Sequence, residues 1–233
     1  MGKFAAKKHM DLIRSGPGRQ KSLLKTNIVL LIALSVLIFL MPVIPLDIPL
    51  LSRILLGLVV VSGLFAADFS SSMFRILLSF ATVVIGVTVL GLFLSESDSL
   101  AYLTFSLNTI FFVLITIALI THVAGSTNVS SSTLLCAVNS YLLIGLSLSM
   151  LFIILDLTVP DSFNLAGDEA NIFSTFLYYG FVTLTTLGYG DILPLTPLAR
   201  SLATFTALFG QLYLVIIMAF LIGKYLNAKN QAS

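Results

Sequence analysis

The sequence predicts an all-α integral membrane protein of six transmembrane helices, with one further short helix that enters the membrane and stops midway. Three observations carry that prediction. Of the 233 residues, 58% are hydrophobic and only 9% charged, more apolar surface than a soluble domain can hide behind a polar exterior. Six apolar stretches, at 27–46, 50–67, 76–94, 100–121, 134–155 and 198–223, match the roughly 17–25 residues that cross about 30 Å of hydrocarbon. A seventh, 171–186, is apolar and aromatic without proline, yet a helix of about 15 residues reaches only some 22 Å.

The chain begins with a basic segment, 1–25, which holds Lys3, Lys7, Lys8, Arg14, Arg19, Lys21 and Lys25 against Asp11 alone. Such a segment stays on the cytoplasmic side, either as a solvated topological signal or drawn to anionic lipid of the inner leaflet. No small-residue cleavage site lies between Met41 and Pro49, so the first apolar run reads as an uncleaved span. Pro42, Pro45 and Pro49 crowd the junction to the second span, which contains Arg53. Counting spans from the inside puts Asp47, Glu96, Asp98, Asp156, Asp161, Asp168 and Glu169 outside, and Arg75, Lys224 and Lys229 inside. Arg53 and Arg200 are exceptions near outer ends. Both termini are then cytoplasmic in a multi-pass protein of the plasma or inner membrane. The small, polar stretch 122–132 reads as a linker. It divides a four-helix unit, 26–121, from a two-helix unit with an inserted loop, 133–226, which is followed by a short cytoplasmic tail, 227–233.

Polar groups within the spans have structural readings first. Asn108 and Asn139 suit interhelical hydrogen bonds, and Gly57, Gly63, Gly86 and Gly145 suit close helix packing. Arg53 can pair with Asp47 or snorkel outward. Asp68 and Arg75 flank a Ser-rich helix junction, and His122 is interfacial. The lone Cys136 is a buried thiol with no disulfide partner. No His/Asp/Ser or metal-ligand constellation occurs in the spans, so neither an enzyme nor an organic cofactor is expected, nor a nucleic-acid partner. About ten residues follow Gly223, too few for a cytosolic regulatory domain.

Chemistry concentrates after the short helix, in Thr186-Leu187-Gly188-Tyr189-Gly190-Asp191. Irregular backbone at membrane depth is allowed only inside protein or beside water. A dehydrated cation needs oxygens to replace its water shell, and backbone carbonyls can supply them. Along an extended strand successive carbonyls alternate in direction. Aiming them at one axis requires left-handed torsions at alternate residues, which Gly188 and Gly190 take without steric penalty. The Thr186 hydroxyl adds an oxygen at the inner end, and the C-terminus of the short helix favours a cation there.

The run Thr185 to Asp191 resembles the selectivity filter of potassium channels, and the flanks extend the likeness over about 171–226, most closely to small prokaryotic six-span channels. The resemblance implies a pore helix, a filter of Thr186, Leu187, Gly188, Tyr189 and Gly190 supported by Thr185 and Asp191, and a C4 homotetramer conducting K+ passively. It also implies that Tyr178 and Tyr179 cuff the filter, that Pro194, Thr196 and Arg200 lead into the inner helix, and that Gly210 is its hinge. Leu187 replaces the commoner Val. Val182 stands where some relatives carry a Glu that pairs with the filter Asp, so Asp191 needs another partner, Tyr178 or Tyr179. The likeness supplies no voltage sensor: no Lys or Arg lies between Arg75 and Arg200, so steep voltage dependence is not expected. The competing readings are a non-selective cation channel, a pore-loop potassium transporter subunit and a non-conducting membrane subunit.

Overall fold

The computed structural model describes residues 17–43, 49–67, 69–93, 98–126, 129–165 and 172–232. They form helices α1 (Pro17–Leu40, continued by a 3-10 turn, Met41–Val43), α2 (Pro49–Ala66), α3 (Ser71–Phe93), α4 (Asp98–Gly125), α5 (Ser131–Thr158), α6 (Ile172–Leu184) and α7 (Pro197–Ala232). Pro17, Pro49 and Pro197 each open a helix, where a missing N–H costs nothing and the ring's φ is already helical. Asp47, Asp68 and the first part of the basic segment lie outside the described residues.

Five of these helices are long and apolar enough to cross a membrane: Lys21–Val43, Ser71–Gly91, Ser99–Gly125, Ser131–Thr158 and Pro197–Lys224. Of the six predicted spans, the second forms α2, whose apolar part, Leu50–Ala66, is shorter than these. α4 runs on through His122 to Gly125, so the first residues of the predicted linker are helical. Val123 explains the extension, since it is buried and holds the last turn on the bundle. Ser130 then caps α5 by accepting from the Thr133 N–H at 3.2 Å.

α5 is the centre of the molecule. Its span is 72% buried, whereas those of α3 and α7 are each 22% buried, so α3 and α7 lie at the periphery of the single chain. Phe111, Phe112 and Ile115 of α4, Leu30 and Leu34 of α1, and Phe152 of α5 are fully enclosed.

In hydrocarbon an unmatched polar group has no water to turn to, so buried amides seek partners on neighbouring helices. Asn139 of α5 does so, donating to the Asn27 carbonyl of α1 at 2.9 Å and to Asn27 Oδ1 at 3.1 Å. Asn27 in turn donates to the Ala66 carbonyl at the end of α2, at 2.8 Å. Cys136 is buried and donates to Asn27 Oδ1 at 3.4 Å. Asn108 bridges α4 to Thr88 of α3 at 3.4 Å. Tyr213 of α7 donates to the Ala137 carbonyl of α5 at 2.7 Å.

The glycines divide. A Cβ at Gly145 would meet Phe181 Cζ at 2.6 Å, so α6 packs there on a surface only glycine leaves free. Gly63 has ordinary contact with Ile115, while Cβ atoms at Gly57 and Gly86 would meet nothing within 4 Å, so these two do not serve close packing within the chain. The Arg53 guanidinium lies over Gly91 of α3, its Cζ 3.4 Å from where a Cβ would stand. At the opposite end of the bundle, Lys224 of α7 caps α4. Its ammonium donates to the carbonyls of Val123 and Ala124 at 3.0 Å each and to Ser126, and lies 4.1 Å from the centre of the Phe220 ring. The last carbonyls of a helix find no N–H within it and carry its partial negative charge, which a cation complements; the Val123 carbonyl also accepts from the Ser126 hydroxyl at 2.8 Å.

Candidate functional site

The site is built on α6. With 13 residues this helix is about 20 Å long, short of the ~30 Å hydrocarbon layer. Four rings fix its middle: Tyr179 stands edge-on to Phe152 at 4.8 Å and to Phe163 at 5.4 Å, and Phe163 meets Phe176 at 5.0 Å. Gly180 presses its backbone onto Ser149 of α5, where an added Cβ would overlap the hydroxyl and stand 2.9 Å from Ser149 Cβ.

α6 ends in a Schellman turn. The Thr186 N–H donates to the Thr183 carbonyl and the Leu187 N–H to the Val182 carbonyl, both at 3.0 Å. The left-handed position of that turn is filled by Thr186, at φ 59°, where glycine is usual. Gly188 follows at φ 55° and Gly190 at φ 79°, with Leu187 and Tyr189 between them at negative φ. Alternate residues are thus left-handed along the whole loop, the torsional pattern that turns successive carbonyls toward a common side. The sequence pointed to the two glycines; the same torsion at Thr186 was missed, because a β-branched residue carries no signal for it.

Asp191 closes the far end of the loop. Tyr178 donates its hydroxyl to Asp191 Oδ2 at 2.6 Å, and the Ile192 N–H reaches Oδ1 at 3.0 Å. Of the two tyrosines considered as its partner, Tyr178 makes the bond. Tyr179 is buried among the phenylalanines instead.

The loop's return is clamped to the segment after α5. Asn164 accepts from the Leu193 N–H through its side chain and donates its own N–H to the Leu193 carbonyl at 3.1 Å. Leu195 donates to the Ser162 carbonyl at 2.8 Å, and Phe163 pairs with Pro194 as an isolated antiparallel bridge. Thr196 caps α7 by accepting from the Ala199 N–H at 3.3 Å, and Arg200 Nε donates to the Pro194 carbonyl at 3.2 Å. Nothing in composition marks Asn164 or Ser162.

α7 continues unbroken through Gly210, which is seated against the C-terminal end of α6. A Cβ there would collide with the Leu184 carbonyl oxygen and lie 2.8 Å from Leu184 Cδ1. The next residue, Gln211, donates to the Thr186 hydroxyl at 3.2 Å. A lone amide on an apolar span was the available signal for it.

Residues 133–227, which include most of α5, all of α6, the loop and most of α7, match the family model described as an ion channel. This stretch is an ion-channel domain. Neither curated proteins nor solved structures include a match to the chain. The domain makes the chain a channel protein and not an enzyme, and with the five span-length apolar helices it makes the chain a membrane protein. The domain covers less than half of the chain, and α1 to α4 lie outside it.

In the ion-channel domain, hydrogen bonds from Tyr178 and the Ile192 N–H hold the Asp191 carboxyl below the ordinary carboxylate range, with Tyr178 as the main cause. A depressed carboxyl stabilises its surroundings above its unfolded pKa, and that contribution is lost as pH falls through the folded value. In Tyr178→Phe, Asp191 titrates nearer the ordinary range. The acid limb of ion flux, measured in liposomes across a pH series, is therefore expected at higher pH than in the unaltered channel. Superimposable profiles would show that the Tyr178 bond is not what sets it.

Proposed function

We propose that this chain is one subunit of a homotetrameric, potassium-selective channel of the prokaryotic six-span kind, with Thr186, Leu187, Gly188, Tyr189 and Gly190 as its selectivity filter. The observation that carries this reading is the run of alternating left-handed torsions at Thr186, Gly188 and Gly190, at the end of a helix too short to cross. Rings of carbonyl oxygens substitute for the hydration shell of K+, the permeant ion, and the protein needs no organic cofactor.

One loop offers a quarter of such a cage, and four-fold closure supplies the rest. Two exposures support closure. Tyr189 is 67% exposed within one chain, and α7 presents Leu208, Leu212, Val215 and Ile216, all largely uncovered. In this reading α2 also crosses, which makes six spans and puts both termini in the cytoplasm. The basic start of the chain lies on anionic lipid. α1 to α4 form a unit without gating charges, so opening depends weakly on voltage.

The test is purified protein in liposomes, with potassium and sodium efflux compared and the mass of the particle measured. Potassium flux well above sodium flux from a particle of four chains is expected. Equal fluxes would make it a non-selective cation channel, and a selective monomer or dimer would overturn the tetramer.

A further inference from the structure

We propose that Gln211 is a positioning residue for the filter: its side-chain amide holds the Thr186 hydroxyl oxygen at the inner end of the ion path. The inference rests on the reading of 186–190 as that path. It starts from a contrast between adjacent threonines. The Thr185 hydroxyl folds back onto α6 and donates to the Phe181 carbonyl at 2.8 Å, so it is committed to the helix. Thr186 is turned the other way by its left-handed φ of 59°. The Schellman bonds to Thr183 and Val182 fix its backbone but do not engage its hydroxyl. The contact that restrains its hydroxyl is Gln211 Nε2, at 3.2 Å.

The chemistry suits the task. A hydroxyl oxygen has two lone pairs and one hydrogen. The amide N–H occupies one lone pair and stops the rotor, leaving the second lone pair for a cation. A neutral donor does this without adding charge to the path. The reach of Gln211 is set by its neighbour, because Gly210 lies directly against the Leu184 carbonyl and brings α7 to the end of α6. In a tetramer the arrangement repeats as a ring of four amides beneath a ring of four hydroxyls.

Ligand linkage tests this without requiring conduction: an ion that binds only the folded assembly protects it from heat in proportion to its occupancy. The purified full-length tetramer is heated in potassium chloride, with sodium chloride holding ionic strength constant, and the potassium concentration giving half-maximal protection is read. Gln211→Met, similar in length but without a donor, is expected to raise that concentration about tenfold, the equivalent of one unit in log affinity. Gln211→Asn, which keeps the amide but shortens its reach, is expected to do the same, and it decides the matter if the Met variant does not assemble. In a Thr186→Ala background the Gln211 substitutions should add less than about twofold, because the group they act through is gone. Unchanged protection in the Gln211 variants, or an equal shift in the Thr186→Ala background, overturns the proposal while the unaltered channel remains potassium-selective. Equal protection of the unaltered protein by sodium and potassium, with equal fluxes, overturns the filter assignment itself, and is told apart because it appears before any substitution is made.

Discussion

Gly188→Ala is expected to leave an assembled particle that no longer prefers potassium over sodium. The reason is torsional and not steric. A Cβ at Gly188 would meet nothing within 4 Å, so there is room for a methyl group. The residue nevertheless sits at φ 55°, where an L side chain crowds its own carbonyl at a cost of about 1–2 kcal/mol. In the proposed four-fold ring that cost falls on every subunit at once. In the proposed filter the carbonyls are then released from the alternation that directs them to a common side, and an oxygen cage sized for one ion loses its shape. The measurement is the ratio of potassium to sodium flux in liposomes, expected to fall toward one or to vanish with conduction. Gly57→Ala and Gly86→Ala are the controls. Both sit within helices, with open space where the methyl would go, and alanine is the better helix former by about 0.5–1 kcal/mol. Undiminished potassium preference in Gly188→Ala would refute the filter assignment.

The second large effect is expected at Gly180, for the opposite reason. There the backbone torsion is ordinary and the space is gone. A Cβ would overlap the Ser149 hydroxyl and lie 2.9 Å from Ser149 Cβ and 3.0 Å from its backbone Cα. A hydroxyl can rotate away, but the Cα of a buried helix cannot, so Gly180→Ala must lift α6 from α5. Overpacking of this kind costs about 1–3 kcal/mol in a core. Here the displaced helix also carries residues 185–191, so function is lost before the fold is. Gly180→Ala should give a reduced yield of the proposed tetramer on size exclusion and little flux from what assembles. Adding Ser149→Gly should recover part of both, since it removes the hydroxyl and Cβ but not the Cα. Wild-type yield and flux in the single variant would show that α5 and α6 do not approach this closely.

Much of the candidate site was legible because its residues are contiguous. An apolar run too short to cross, a pair of glycines spaced by one residue and an acidic residue after them lie within a few turns of chain, and both glycines take the left-handed torsions their spacing suggested. The absence of Lys and Arg from spans three and four is equally plain in the sequence. The helix boundaries were less so. Val123 is buried and prolongs α4 into the polar stretch read as a linker.

What the sequence determined by itself is therefore local: an apolar all-helical chain, the order of its helices, and a short helix that delivers a glycine-spaced loop. Only the tertiary structure decided which distant residues hold that loop. It chose Tyr178 over Tyr179 for Asp191, paired Asn164 with Leu193, set Gln211 on Thr186, and closed the end of α4 with Lys224. In a soluble protein the polar face of each helix would have foretold such orientations. A helix that meets lipid on one side and protein on the other is apolar on both, so its rotation and depth, and with them every cross-helix partner, are decided by packing.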